Sequence, residues 1–108
     1  MQNMRNHIQL IGNLGRDIDF RQLENGNTIA RVSLATREIH RSAEGKKIID
    51  EQWHQLVAWG KIAEMMQVLL SKGKQVAVQG RLVHRSYNDH QGDKKFRSEV
   101  IINEFVLM

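Results

Sequence analysis

The only two tryptophans of the 108-residue chain lie six residues apart in the stretch EQWHQLVAWGK, as Trp53 and Trp59. Side chains of a β-strand alternate between faces, so this spacing places both indoles on one face with Gln55 and Val57. Two interpretations are open: the pair belongs to the hydrophobic core, or it forms an exposed platform for stacking other planar groups. Gln55 favours the platform, because a buried amide on that face would need hydrogen-bond partners.

Several cationic residues lie near the aromatic residues in the predicted strands or in the sequence. In a later predicted strand, Tyr87 shares its face with Arg81 and Arg85, and Lys61 and Lys72 follow Trp59 closely in the sequence. Flat rings interleaved with cations can contact base faces and phosphates, the two features common to all nucleic-acid single strands. Arg31 and Arg37, on one face of another predicted strand, are weaker candidates for phosphate contacts. Each isolated Lys or Arg can equally be a solvated surface charge.

Catalytic and metal chemistry find little support in the sequence. The absence of cysteine excludes disulfides, thiolate zinc sites and cysteine nucleophiles. Asp17 and Asp19 form a tight acidic pair, but a two-metal nuclease would need more carboxylates around it. No two of the five histidines stand at metal-binding spacing: they are His7, His40, His54, His84 and His90. We therefore expect a binding protein that is not an enzyme, with no cofactor and no metal.

Hydrophobic periodicity predicts the elements that position these residues. Alternation indicates five strands, in HIQLIGNLG, IARVSLATRE, EQWHQLVAWG, KQVAVQGRLVHRSY and FRSEVIINEFVLM, with HRSAEGKKIIDE as a loop between the second and third. After Gly60 the spacing of Ile62, Met65, Met66 and Leu69 predicts a short helix whose apolar stripe lies in the core, with Gly73 as its cap. This order predicts an all-β fold for the whole chain, residues 1–108: a single five-stranded Greek-key barrel of the oligonucleotide-binding (OB) type, with one helix between strands 3 and 4.

Four segments, in this order, resemble the DNA-binding domain of bacterial single-stranded DNA-binding proteins: NHIQLIGNLGRD, IARVSLATRE, EQWHQLVAWGKIAE and GKQVAVQGRLVHRSY. The resemblance covers nearly the whole chain. It implies an OB barrel that assembles as a homotetramer and wraps single-stranded DNA without reading its sequence. The base-stacking positions it implies are Trp53, Trp59, Tyr87 and His40, the last where the family often has tryptophan. It also implies an intersubunit contact at His54.

The first predicted strand points to self-association. Ile8 and Leu10 lie on one face and Ile11 on the other, so one apolar side needs a partner. We expect these residues to contribute to an oligomer interface, in a tetramer built from two-fold dimers or in a dimer.

The expected function is sequence-independent binding and protection of single-stranded DNA in DNA replication, recombination and repair. The alternatives are an OB-fold protein-interaction module, such as a primosomal replication-restart protein, and, more remotely, a nucleic-acid enzyme. A net charge of +4 suits a polyanionic partner. With no signal peptide and no membrane-length apolar run, we expect a cytoplasmic location and no membrane association. The chain ends at NEFVLM without the glycine-rich linker and acidic tip of many bacterial members, which leaves its replication and repair protein partners open.

Overall fold

The computed structural model describes residues 4–108 and consists of six strands and one helix. In chain order they are β1 (Ile8–Leu14), β2 (Asp19–Gln22), β3 (Thr28–Arg41), β4 (Lys47–Trp59), α1 (Gly60–Leu69), β5 (Gln75–Asn88) and β6 (Lys94–Leu107).

Five of these strands close into a barrel. The sheet runs β1-β5-β6-β4-β3-β2, and the end of β1 turns onto β3, where Asn13 pairs with Ala35 and Leu14 with Leu34. β4 and β6 are parallel neighbours, whereas the other pairs are antiparallel. The predicted five-stranded barrel with one short helix is confirmed. β2 is an additional four-residue strand along β3 that the prediction missed, because DFRQ is too short to show an alternating pattern.

Closure of the barrel depends on two glycines at which strands pass very close to each other. A Cβ atom on Gly12 would overlap the carbonyl oxygen of Ala35, and one on Gly80 would overlap the carbonyl oxygen of Ile101. Backbone atoms cannot yield as a flexible side chain can, so only glycine fits at these two positions.

The core fills the barrel, and α1 packs over one of its openings. Its largest fully buried side chains include Leu34, Leu56, Met66 and Val76. The four-residue core stripe predicted for the helix is only partly correct. Met66 is buried together with Ala63, and Ile62 packs at the edge of the core, but Met65 and Leu69 are exposed. A ten-residue helix lying across a barrel end contacts the barrel along a narrow line, so Met65 and Leu69 at the margins of the predicted stripe remain in contact with solvent.

The helix cap was also predicted wrongly. α1 ends at Leu69, and the backbone N–H of the extended residue Leu70 donates to Met66. Gly73 instead lies in the turn before β5, with φ +88°, and its N–H donates to Leu14 on β1. This bond ties the turn to the barrel.

Two long hairpins project from the barrel as ribbons. The first joins β3 and β4 and pairs continuously from Ile29–Trp59 to Arg41–Lys47, so most of the predicted loop HRSAEGKKIIDE is strand. The second joins β5 and β6, with Asn88 opposite Lys94 at its tip. Because of these ribbons the molecule measures 56 Å along its longest axis. No helix in residues 4–108 has the length and apolar character needed to cross a membrane.

Candidate nucleic-acid interface

The tryptophan pair lies on the outside of the barrel. Trp53 is 56% exposed and Trp59 42% exposed, whereas Leu56 and Ala58 on the opposite face of β4 are in the core. The core interpretation of the two indoles is therefore wrong. Between them, Gln55 is exposed and Val57 is buried. The outer face of β4 thus offers two indole rings separated by an amide.

The ring of Trp53 rests on a small hollow made by Gly15 and Ser33. A Cβ atom added to Gly15 would overlap Cζ3 of the indole and would lie 2.9 Å from its Cη2 and 3.0 Å from Ser33 Oγ. The backbone N–H of Gly15 donates to the carbonyl of Ser33 at 3.0 Å, which fixes this hollow against β3. The absence of a side chain at Gly15 therefore sets the position of the exposed ring.

A buried carboxylate lies at the centre of the same outer face. Glu99 on β6 is 2% exposed and accepts hydrogen bonds from two arginines on different strands. Nη1 of Arg31 on β3 donates to Oε2 at 2.9 Å, and Nε of Arg85 on β5 donates to Oε1 at 2.8 Å. The two arginine side chains are 40% and 54% exposed. This arrangement brings together two predicted phosphate-binding residues that are 54 positions apart in the sequence.

A depression of about 370 Å³ opens beside Glu99. Its lining includes Gln55 and three arginines, Arg16, Arg31 and Arg97. A second depression of about 380 Å³ lies against Trp59 and is lined also by Arg21 and Arg31. Arg31 borders both depressions. Each depression combines guanidinium groups with flat or polar surface, which suits an anionic chain that carries planar groups.

The β5–β6 ribbon carries further aromatic surface. Tyr87 is exposed, and the guanidinium carbon of Arg97 lies 5.1 Å from the centre of its ring. On the opposite face of the ribbon, Phe96 is 73% exposed with Lys94 Nζ 5.6 Å from its ring centre. Phe96, Arg97 and Arg16 were not predicted from the sequence. The alternation in KKFRSEV was the available signal, since it places a cation or an aromatic on each face of β6.

The other predicted cations are more dispersed. Arg81 is exposed on the outer face of β5, opposite Ile101. Lys61 lies on α1, beside the exposed apolar side chains of that helix, and Lys72 lies in the turn after α1, where its backbone N–H donates to Asp17. Arg37 pairs with Glu51 at 3.4 Å on the β3–β4 ribbon. Of the six predicted phosphate contacts, only Arg31 and Arg85 share a hydrogen-bond partner within residues 4–108.

His40 is not beside the tryptophans. It pairs with Ile48 in an unbroken register in which Trp53 pairs with Ala35, so alternation puts His40 and Trp53 on opposite faces of the ribbon. Its Nε2 lies 3.8 Å from Asp50, and its side chain is half exposed. A stacking role for His40 stays a prediction, and it requires a strand that passes around the ribbon.

The predicted interface residues occupy different environments. Ile8 and Leu10 pack against the barrel core, whereas Ile11 is exposed on the outer face of β1. His54 is half-buried, with Nε2 2.9 Å from Thr36 Oγ1. On β1, the surface open to a partner is therefore that of Ile11. Within residues 4–108, no group of three or more His, Asp or Glu side chains is arranged to hold a metal ion.

Comparison with known sequences decides the family. The sequence matches the model of the Single-strand binding protein family over residues 5–108. The chain belongs to this family. It is 36% identical over 104 residues to Single-stranded DNA-binding protein 1 of Chlorobaculum tepidum, covering 95% of this chain and 64% of that protein. Single-stranded DNA-binding protein 1 of Xylella fastidiosa is also 36% identical over 104 residues, covering 95% of this chain and 76% of the relative.

Solved structures of the single-strand binding protein family share the fold. The Plasmodium falciparum SSB in complex with ssDNA superimposes with a TM-score of 0.91 at 28% identity, covering 100% of this chain and 98% of that one. A deletion mutant of the single-stranded DNA binding protein from Thermus aquaticus gives a TM-score of 0.84 at 29% identity, covering 95% of this chain and 50% of the mutant.

Proposed function

We propose that this chain binds single-stranded DNA through the outer face of β4 and its neighbours, without reading base sequence and without catalysing a reaction. The observation that carries the proposal is the exposed pair Trp53 and Trp59 beside the arginines around Glu99. Indole rings stack on any base, and guanidinium groups contact any phosphate. Family membership and the ssDNA complex of the Plasmodium falciparum relative support the proposal.

The proposal extends to the role of the protein. A binder that covers bases and phosphates alike protects single strands wherever they form, and we propose that this occurs in the cytoplasm during DNA replication, recombination and repair. Tyr87 and the cations Lys61, Lys72, Arg37 and Arg81 extend the proposed contact surface.

Titration with oligo-dT tests the binding proposal. Because both tryptophans of the chain lie on the proposed site, stacked bases should quench most of the intrinsic fluorescence, with a sharp stoichiometric end point. Duplex DNA of equal length should bind much more weakly, since its base faces are already stacked. Equal affinity for both forms at moderate salt would refute the aromatic platform.

We further propose that the protein is a homo-oligomer, with a tetramer favoured over a dimer. Exposed apolar side chains on the outer faces of β1 and β6 support this, with Ile11 and Val106 both paired with Ala77 on β5. Light scattering at micromolar concentration without DNA measures the assembly. A monomer would contradict the proposal, and Ile11→Glu should shift the distribution toward smaller species.

A further inference from the structure

Glu99 places a negative charge in the middle of the surface that we propose for an anionic ligand. Within residues 4–108 it is the only charged side chain that is buried. A buried carboxylate costs free energy unless its oxygens are well paired, and each oxygen of Glu99 accepts from one arginine at 2.8 or 2.9 Å.

The two ion pairs leave most of each guanidinium group free for a ligand. Arg31 uses one Nη1–H and Arg85 uses its Nε–H, whereas a guanidinium group carries five N–H donors. Both side chains remain about half exposed on the face that carries the tryptophans. The carboxylate therefore restricts the rotamers of two long side chains without covering their outer donors.

We propose that Glu99 is a positioning residue of the single-stranded DNA site, which holds Arg31 and Arg85 in the orientation that contacts phosphate. The inference rests on the proposed function. Pre-ordering lowers the conformational entropy that each arginine loses when the strand binds. The triad of Glu99, Arg31 and Arg85 keeps one net positive charge, and Arg16 and Arg97 add to it nearby.

Glu99 could act by positioning the two arginines or only by contributing its negative charge, and these two roles predict opposite effects of one substitution on DNA binding. If Glu99 acts only as a charge, removing it makes the face more positive, so binding tightens and becomes more dependent on salt. If Glu99 orients the arginines, replacing one of its two acceptor oxygens with an amide NH2 group releases at least one of them, so binding weakens although the net charge rises.

The experiment compares Glu99→Gln with Glu51→Gln across a series of salt concentrations, with an oligo-dT as the ligand. Glu51 is the matched control, because it pairs with Arg37 on the tryptophan face of the β3–β4 ribbon but is exposed. We expect Glu99→Gln to bind about tenfold more weakly, with a slope of log affinity against log salt smaller by about 0.7 to 1.4, corresponding to one or two lost phosphate contacts. Glu51→Gln should bind at least as tightly as the wild type. Unchanged or tighter binding by Glu99→Gln would overturn the inference.

A second variant keeps the inference testable if Glu99→Gln does not fold. Arg31→Lys combined with Arg85→Lys preserves every charge but replaces the planar fork with a point charge on a flexible stem. We expect weaker binding and a smaller salt slope. The control is Arg41→Lys, at the turn of the β3–β4 ribbon where Nη1 of Arg41 donates to the Gly45 carbonyl, and it should leave both unchanged. Wild-type affinity in the Lys double variant would overturn the inference. Failure of the wild type to bind oligo-dT would instead refute the proposed function itself.

Discussion

Replacing Gly15 with alanine should weaken single-stranded DNA binding without removing any side chain that contacts DNA. The added Cβ would overlap Cζ3 of Trp53 and lie 2.9 Å from Cη2, whereas ordinary van der Waals contact begins near 3.4 Å. The ring edge must therefore retreat by about 0.5 Å or more. A gap of 0.5 to 1 Å forfeits about a quarter to a half of a van der Waals interaction. Applied to a base stack of ~1–3 kcal/mol, this loss is about 0.3 to 1.5 kcal/mol, or about a two- to tenfold weaker affinity.

The protein itself should remain stable, because Gly15 does not have a positive φ and the clash falls on the far end of an exposed side chain. Oligo-dT titration and thermal unfolding of Gly15→Ala measure the two effects. Trp53→Ala provides the reference, and in that background Gly15→Ala should have no further effect on affinity. Equal weakening by Gly15→Ala with and without the Trp53 ring would contradict this prediction, as would an unchanged affinity of Gly15→Ala when Trp53→Ala lowers the affinity.

Three further predictions concern the edges of the site. Arg81→Gln should reduce the slope of log affinity against log salt by about 0.7, one phosphate contact, and an unchanged slope would place Arg81 away from the backbone. His40→Trp should tighten binding by up to ~1–3 kcal/mol and His40→Gln should have a small effect, whereas no change in titrations of either variant would exclude position 40 from the DNA path. Phe96→Ala should cost ~1–3 kcal/mol if a base stacks on the outer face of the β5–β6 ribbon, with Phe96→Tyr as the control that retains the ring. Wild-type affinity of Phe96→Ala in the same titration would confine stacking to the other face.

The strands and the outward-facing tryptophans could be predicted because the alternation of side chains along a strand is visible in neighbouring residues. The β3–β4 ribbon could not be predicted, because HRSAEGKK is polar and lacks the alternation that marks a half-buried strand. Its strands are formed by cross-strand pairing, such as that of Ile39 with Ile49. The role of Glu99 was also invisible. Arg31 lies 68 residues before it, and only the insertion of β6 between β4 and β5 brings the two together.

The two ribbons lack a core of their own, and the radius of gyration reflects this: it is 16.0 Å, against about 13 Å for a compact domain of this length. The ribbon amides form hydrogen bonds only between two strands, and both faces of each ribbon are open to water. These amides should therefore exchange their hydrogens through local opening, whereas barrel amides should exchange only through global unfolding. A DNA strand that lies along the ribbons should suppress this local opening as it binds. The loss of this motion makes the binding entropy less favourable. Calorimetry of DNA binding should therefore measure a favourable binding enthalpy opposed by an unfavourable binding entropy.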